Sequence, residues 1–191
     1  MAVCFLFIAA GQARADASVT EITQFRLERS ADALQLSTSI RLELSSTVED
    51  ALLKGVPVFF VAEADVFQER WYWADKKVMS AQRHFRLIYQ PLTRRWRLSV
   101  SSGMIVSSGT GLALSQIFES LEEAMAAIGR ISLWTIGPVA ELSEGARHRV
   151  EFRFRLDVSQ LPRPLQIGVL GQSDWIMQTA NSQRFVPESL K

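Results

Sequence analysis

A two-residue alternation between positions 34 and 44 constrains the fold of this chain more than any other feature. Apolar side chains occupy one set of alternating positions and polar side chains occupy the other: Leu34, Leu36, Ile40, Leu42 and Leu44 against Gln35, Ser37, Ser39, Arg41 and Glu43. Successive side chains of a β-strand point to opposite faces, so this period gives one apolar and one polar face. Such strands are typical of antiparallel sheets that cover a core on one side. The segment therefore predicts a long strand in an antiparallel sheet.

Further strands are predicted around a turn that contains proline. Residues 76–89 and 96–100 each alternate, and residues 90–93 join them with Pro91 inside the connection. Turn-forming residues between two alternating segments predict a β-hairpin. Residues 149–158 alternate in the same way and predict another strand.

Two helices are predicted between the strands. Residues 47–54 form a short helical segment, with Thr47 as its N-terminal cap and Gly55 as its stop. Residues 115–128 carry apolar side chains at helical spacing. Because helices and strands do not alternate regularly, we expect an α+β fold, namely a mainly antiparallel β-sheet or sandwich with two short to medium helices. Residues 16–191 are expected to form it as a single globular domain.

The N-terminal segment predicts export. Residues 2–10 form an apolar run that is shorter than the about 20 residues needed to span a membrane, and Ala13-Arg14-Ala15 fits an A-x-A cleavage site. Residues 1–15 are therefore expected to be a signal peptide of a periplasmic protein. The alternative is an N-terminal anchor that holds the chain at the periplasmic face of the inner membrane.

Cysteine content and net charge exclude several classes of function. The single cysteine, Cys4, lies in the N-terminal segment, so residues 16–191 contain no thiol for a disulfide, a nucleophile or a metal site. The whole chain has 21 basic and 20 acidic side chains, and this balance argues against a nucleic-acid binder. We expect neither a cofactor nor a metal ion.

Few side chains offer catalytic chemistry. His84 and His148 lie beside arginines on strand faces that are predicted to be solvent-exposed. The neighbouring cations disfavour both protonation of the imidazole and binding of a metal ion. Glu63 and Asp65 share one face of a predicted strand and are close enough to shift each other's pKa. A half-exposed strand shows the same alternation without any catalytic role. We therefore expect a non-enzymatic protein; the alternative is a periplasmic hydrolase that uses Glu63 and Asp65, or Asp75, together with a histidine.

Positive charge is concentrated in the predicted hairpin. Residues 76–97 hold seven cations and no acid: Lys76, Lys77, Arg83, Arg86, Arg94, Arg95 and Arg97. Since the aromatic triplet Trp71-Tyr72-Trp73 leads directly into this hairpin, we predict a surface on which aromatic and cationic side chains lie close together. The candidate ligand-binding or partner-binding residues are Trp71, Trp73, Arg83, Arg86, Arg94 and Arg97. The competing interpretation is an edge hairpin that its cations protect from aggregation, with the tryptophans buried in the core.

Several segments resemble a known protein family. They are GVPVFFVAEAD and RWYWAD within residues 55–75, Phe85-Arg86-Leu87, and Arg155-Leu156-Asp157 with QLPRPL at residues 160–165. Over nearly all of residues 16–191 the chain resembles the proteobacterial family called domain of unknown function 4390. The resemblance implies an exported or membrane-anchored envelope protein, in a family thought of beside two-component sensor kinases, and it assigns no catalytic residue.

These observations predict a non-enzymatic envelope module for binding or interaction. Its basic, tryptophan-flanked hairpin would face an anionic lipid or glycan, or an acidic protein partner such as an envelope protein or a sensor kinase. Apart from the hydrolase, the remaining alternative is a purely structural component of the envelope.

Overall fold

Antiparallel strands dominate the computed structural model, which describes residues 20–102, 114–163, 166 and 173–190. Residues 1–15, the predicted signal peptide or anchor, lie outside these residues. Within the described part the chain forms nine strands and two α-helices. In chain order these are β1 (Thr20–Ser30), β2 (Ala33–Leu42), α1 (Ser46–Leu53), β3 (Val58–Gln68), β4 (Lys76–Gln90), β5 (Arg95–Ser101), β6 (Leu114–Phe118), α2 (Leu121–Gly129), β7 (Arg130–Pro138), β8 (His148–Leu156) and β9 (Gln178–Phe185).

The strands form two sheets, and every neighbouring pair within them is antiparallel. A three-stranded sheet has the order β1-β2-β7, and a six-stranded sheet has the order β6-β5-β4-β3-β8-β9. The expected α+β fold, mainly antiparallel β with two helices, is therefore confirmed. The predicted hairpin is present as β4-β5, and β1 and β2 form another antiparallel pair joined by a short turn.

The two sheets face each other across the core. Phe25 of β1 lies with its ring centroid 6.0 Å from that of Phe152 on β8, and Leu34 and Leu36 of β2 are fully buried. We call the face of the six-stranded sheet that meets the smaller sheet the inner face, and the opposite one the outer face. Phe154 of β8 lies at the centre of the inner face, where alternate residues of three adjacent strands meet.

The N-terminal cap of helix α1 lies two residues earlier than its sequence pattern predicts. Its cap is Ser45, whose Oγ accepts the Val48 amide proton at 3.3 Å, and Thr47 instead donates its hydroxyl to the Asp174 carboxylate at 2.8 Å. Both residues are good caps locally, and both also donate their hydroxyl groups to Asp174, since Ser45 binds its carbonyl oxygen at 2.7 Å. The predicted stop is correct, because Gly55 has a φ of 80° directly after the helix.

The predicted helix over residues 115–128 is wrong in its first part. Residues Leu114–Phe118 form strand β6 at the edge of the six-stranded sheet, paired with β5. A new cap then starts α2, since the Ser120 hydroxyl accepts the Glu123 amide proton at 3.1 Å. Among the described residues no helix is long and apolar enough to cross a membrane.

Candidate functional site

The loop between β3 and β4 exposes three consecutive aromatic side chains. We call residues 69–75 the aromatic loop. Trp71 is 92% exposed, Tyr72 is 66% exposed and Trp73 is 72% exposed, and the rings of Trp71 and Tyr72 meet edge to face at 4.7 Å. The interpretation that Trp71 and Trp73 lie in the core is therefore wrong. The three tryptophans outside this loop, in contrast, are buried: Trp96, Trp134 and Trp175.

The acids of the aromatic loop are paired, whereas Arg70 within it and Lys76 directly after it are free. Glu69 accepts a hydrogen bond from Arg184 at 2.7 Å, and Asp75 accepts one from Arg149 at 2.9 Å. The hydrogen bond from Arg149 is the main reason that the pKa of Asp75 lies below its usual range. Arg70 and Lys76 are exposed and have no ion-pair partner within the described ranges. The loop therefore presents aromatic rings and unneutralised positive charge together.

Arg83 and Arg86 point to opposite faces of the six-stranded sheet, because they are three positions apart on one strand. The Arg83 guanidinium lies on the inner face, 5.2 Å from the centre of the Trp134 ring, and burial lowers its pKa. The Arg86 guanidinium lies on the outer face, 6.0 Å from the Phe59 ring. Both are half-buried and pack against aromatic rings, so neither joins the surface of the aromatic loop.

Arg94 and Arg97 lie at the other end of the hairpin. Arg94 is exposed in the turn after β4 with a φ of 53°, and Arg97 is exposed on β5 opposite Ile88. Strand β4 has 15 residues, which at about 3.3 Å per residue separate the two ends by roughly 45 Å. Trp71 and Trp73 thus lie in one loop with Arg70 and directly before Lys76, at the opposite end of β4 from Arg94 and Arg97. Arg70 was missed because it precedes the basic segment 76–97, and Lys76 was counted in that segment but was not assigned to the site.

The carboxylates of β3 belong to a network of ion pairs on the outer face. Asp65 accepts hydrogen bonds from Lys77 at 2.9 Å, from Ser80 at 2.7 Å and from Arg153 at 3.2 Å. Burial works to raise the pKa of Asp65, but the hydrogen bonds from Lys77 and Ser80 and the charges of Lys77 and Arg153 outweigh burial and lower it. Glu63 lies 3.6 Å from both Arg153 and Arg155. An acid held ionised by cations has no proton to donate to a leaving group.

Both histidines are buried, contrary to the expectation that they are solvent-exposed. His148 is fully buried on the inner face, where it stacks on Phe185 with 5.6 Å between ring centroids. His84 is 6% exposed on the outer face, and its neighbour Val61 on that face is 1% exposed. The flanking arginines suggested a solvent-exposed position, but alternate residues of a strand share a face whatever their direct neighbours are. His148 is two positions from Val150 and therefore lies on the same buried face, so the alternation of β8 already indicated that His148 is buried.

Comparison with known proteins identifies the family. A family model described as "Domain of unknown function (DUF4390)" matches residues 17–185. The chain belongs to this family. No curated protein and no solved structure matches the chain.

One groove of this DUF4390 domain lies apart from the side chains considered for catalysis. A groove of about 620 Å³ between β2 and α2 is lined partly by Ile40, Leu42 and Met125. None of Glu63, Asp65, His84 and His148 lines it. In the part of the chain that the structure describes, no group of three or more His, Cys, Asp or Glu side chains is placed to hold a metal ion.

Burial of the histidines predicts that stability falls in mild acid. Desolvation is the main cause that lowers the pKa of His148, with a hydrogen bond to the Ala146 carbonyl and the charge of Glu188 acting against it; desolvation likewise lowers the pKa of His84. Each folded-state pKa is thus below the unfolded value of about 6.5. Between the two values the unfolded state binds more protons, so the free energy of unfolding decreases as the pH falls below about 6.5, by at most about 1.4 kcal/mol per histidine and pH unit.

Urea unfolding at several pH values between about 5 and 7.5 measures this slope. We expect the double substitution His84→Leu with His148→Leu to flatten it, since the chain has two histidines and carboxylates titrate at lower pH. A wild-type stability that is constant over this range contradicts the prediction.

Proposed function

We propose that this chain is a non-enzymatic binding module of the bacterial cell envelope. It presents the aromatic loop, with Trp71 and Trp73 flanked by Arg70 and Lys76, to an anionic ligand or to an acidic partner. The observation that carries this proposal is the exposure of three consecutive aromatic side chains beside free cations. Exposed tryptophan and tyrosine at a protruding loop are typical of binding surfaces.

The distribution of charge favours an anionic ligand. The two acids of the loop are each paired with an arginine from another strand, Arg149 or Arg184, so they do not cancel the charge of Arg70 and Lys76. Cations near aromatic faces bind anions and acidic surfaces through combined charge and stacking contacts. The predicted export signal and the resemblance described above support a periplasmic location, either free or anchored to the inner membrane.

The arginines of the predicted site divide into two groups. Arg94 and Arg97 are exposed and form a separate basic patch at the far end of the hairpin, where they are available to a second part of an extended ligand. Arg83 and Arg86 pack against Trp134 and Phe59, so the proposal gives them a role in stability and not in binding. The hydrolase alternative has no comparable observation in its favour, because the carboxylates of Glu63 and Asp65 on β3 form ion pairs with lysine and arginine side chains.

Binding measurements with three anionic probes test the proposal. Anionic vesicles, cell-wall fragments and the periplasmic domain of a sensor kinase are each mixed with the full chain at about 0.05 M and about 0.5 M salt, where the Debye length changes severalfold. We expect at least one probe to bind, more tightly at low salt, and Trp71→Ala with Trp73→Ala to abolish that binding.

Two further variants test the contribution of the far end of the hairpin separately from that of the aromatic loop. Arg94→Glu with Arg97→Glu tests the far basic patch, and Leu92→Ala is the matched control because Leu92 is 101% exposed in the same turn. The proposal fails if no probe binds, or if binding survives both the tryptophan and the arginine substitutions unchanged.

A further inference from the structure

We infer that the ligand of the aromatic loop is the surface of an anionic lipid bilayer, into whose headgroup region the loop inserts. This inference rests on the proposed function and names the ligand class of the same site. Three features carry it: the exposure of the rings, the chemistry of the rings and the position of the free charges.

The three rings of the loop are all exposed. Their exposed fractions are 92%, 66% and 72%, and the rings of Trp71 and Tyr72 meet edge to face with 4.7 Å between their centroids. Rings that contact the rest of the domain so little can be surrounded by lipid, and a fluid headgroup layer adapts to their arrangement without a preformed pocket. This favours lipid over protein.

The side chains of the loop have the chemistry of a membrane interface. Tryptophan and tyrosine each join an apolar ring to one polar group, and they concentrate at the level of the lipid headgroups. Each aromatic side chain buries on the order of 150–250 Å², so the triplet offers a few hundred Å² of apolar contact. That area suits reversible binding at an interface and not permanent insertion.

Charge complements an anionic headgroup layer. Arg70 precedes the aromatic triplet and Lys76 follows it three residues later, so an exposed cation flanks the triplet on each side along the chain. Glu69 and Asp75, which would be repelled by lipid phosphates, are held by Arg184 and Arg149. Basic residues next to an inserted segment bind anionic lipid and lose that attraction as salt rises.

Tryptophan fluorescence in the full chain tests insertion directly. Trp96, Trp134 and Trp175 are at most 5% exposed and give a background that lipid cannot reach, whereas Trp71 and Trp73 report on the loop. The protein is mixed with vesicles of phosphatidylcholine, with or without about 30% phosphatidylglycerol to supply surface charge. A fraction of the lipid carries a nitroxide at the headgroup, which quenches nearby tryptophan. Every variant is the full chain, so residues 1–19 contribute equally to each.

We expect quenching with anionic vesicles, and we expect Trp71→Phe with Trp73→Phe to remove it while vesicle binding is largely kept. Trp71→Ala with Trp73→Ala should weaken co-sedimentation with anionic vesicles by about tenfold or more, because the apolar contact is lost. Arg70→Glu with Lys76→Glu should weaken it at low salt only. Unfolding curves should be unchanged in the alanine variant, since both side chains are exposed.

The outcomes separate this inference from the proposed function. The inference is overturned if neither quenching nor vesicle binding depends on Trp71 and Trp73, or if uncharged vesicles bind as well as anionic ones. If cell-wall fragments or the sensor domain bind through the loop while vesicles do not, the inference is wrong and the binding module stands. If no probe depends on the loop, both are wrong.

Discussion

Substitution of Phe154 by alanine is expected to lower the free energy of unfolding by about 4 kcal/mol, the cost typical of deleting a buried aromatic ring. Phe154 is 0% exposed at the centre of the inner face. Its ring centroid lies 5.8 Å from that of Phe60 and 6.3 Å from that of Phe85. These rings come from β8, β3 and β4, so the cavity would open where three strands meet and where strand pairing limits collapse. Urea unfolding followed by near-ultraviolet circular dichroism measures the change.

Leu92→Ala is the control for this substitution. Leu92 is fully exposed in the β4-β5 turn, so its removal should change stability by no more than about 0.5 kcal/mol. A Phe154→Ala variant as stable as Leu92→Ala would show that the packing of β8 against β3 and β4 is wrong. A loss larger than the whole stability of the domain would appear as failure to fold, and Phe154→Leu, which keeps most of the volume, then gives a measurable intermediate loss.

Strands with one solvent-exposed face could be predicted from the sequence, because the alternation of apolar and polar residues is visible within the strand itself. The alternation at Leu34, Leu36 and Ile40 needs no knowledge of the rest of the chain, and these residues are buried on β2 as expected. The β4-β5 hairpin is equally local, since its turn and both of its strands lie within residues 76–101. Gly55 shows that a helix stop is local too, because only the backbone requires it.

Pairing between distant segments could not be predicted in this way. Ile117 and Phe118 fit a helix with Leu121 by spacing alone, yet they extend the edge of a sheet because β5 offers hydrogen bonds to them. Strand β3 pairs with both β4 and β8, and this places Asp65 within 3.2 Å of Arg153, 88 residues later. No local pattern in β3 indicates that its acids will be neutralised.

The candidate site was predicted in part. A run of three aromatic residues has no period, so the sequence left open whether Trp71 and Trp73 are core or surface. The cluster of cations was over-interpreted, because nearness in sequence is not nearness on a strand: parity separates Arg83 from Arg86, and the length of β4 separates the aromatic loop from Arg94. The cations that do accompany the tryptophans, Arg70 and Lys76, lie within the loop and at its end.

Replacement of Gly129 by alanine is expected to cost about 3 kcal/mol, at the upper end of the usual penalty for overpacking. A Cβ atom at this position would lie 2.3 Å from the carbonyl oxygen of Ile40. That oxygen belongs to the backbone of β2 and cannot rotate away, so α2 or β2 must shift as a whole. The gain from stiffening the unfolded chain, about 0.4–1 kcal/mol for glycine to alanine, is too small to offset this. Thermal and urea unfolding measure the loss.

Gly137→Ala is the matched comparison, because it adds the same methyl group beside a movable neighbour. The nearest atom to its Cβ would be the Met79 sulfur at 2.9 Å, at the flexible end of a side chain that adapts to its surroundings. We expect a loss of no more than about 1 kcal/mol, within the range for a tolerated change in a core. Equal losses at Gly129 and Gly137 would mean that α2 is free to move on β2, and that the close contact at Ile40 does not hold the helix against the smaller sheet.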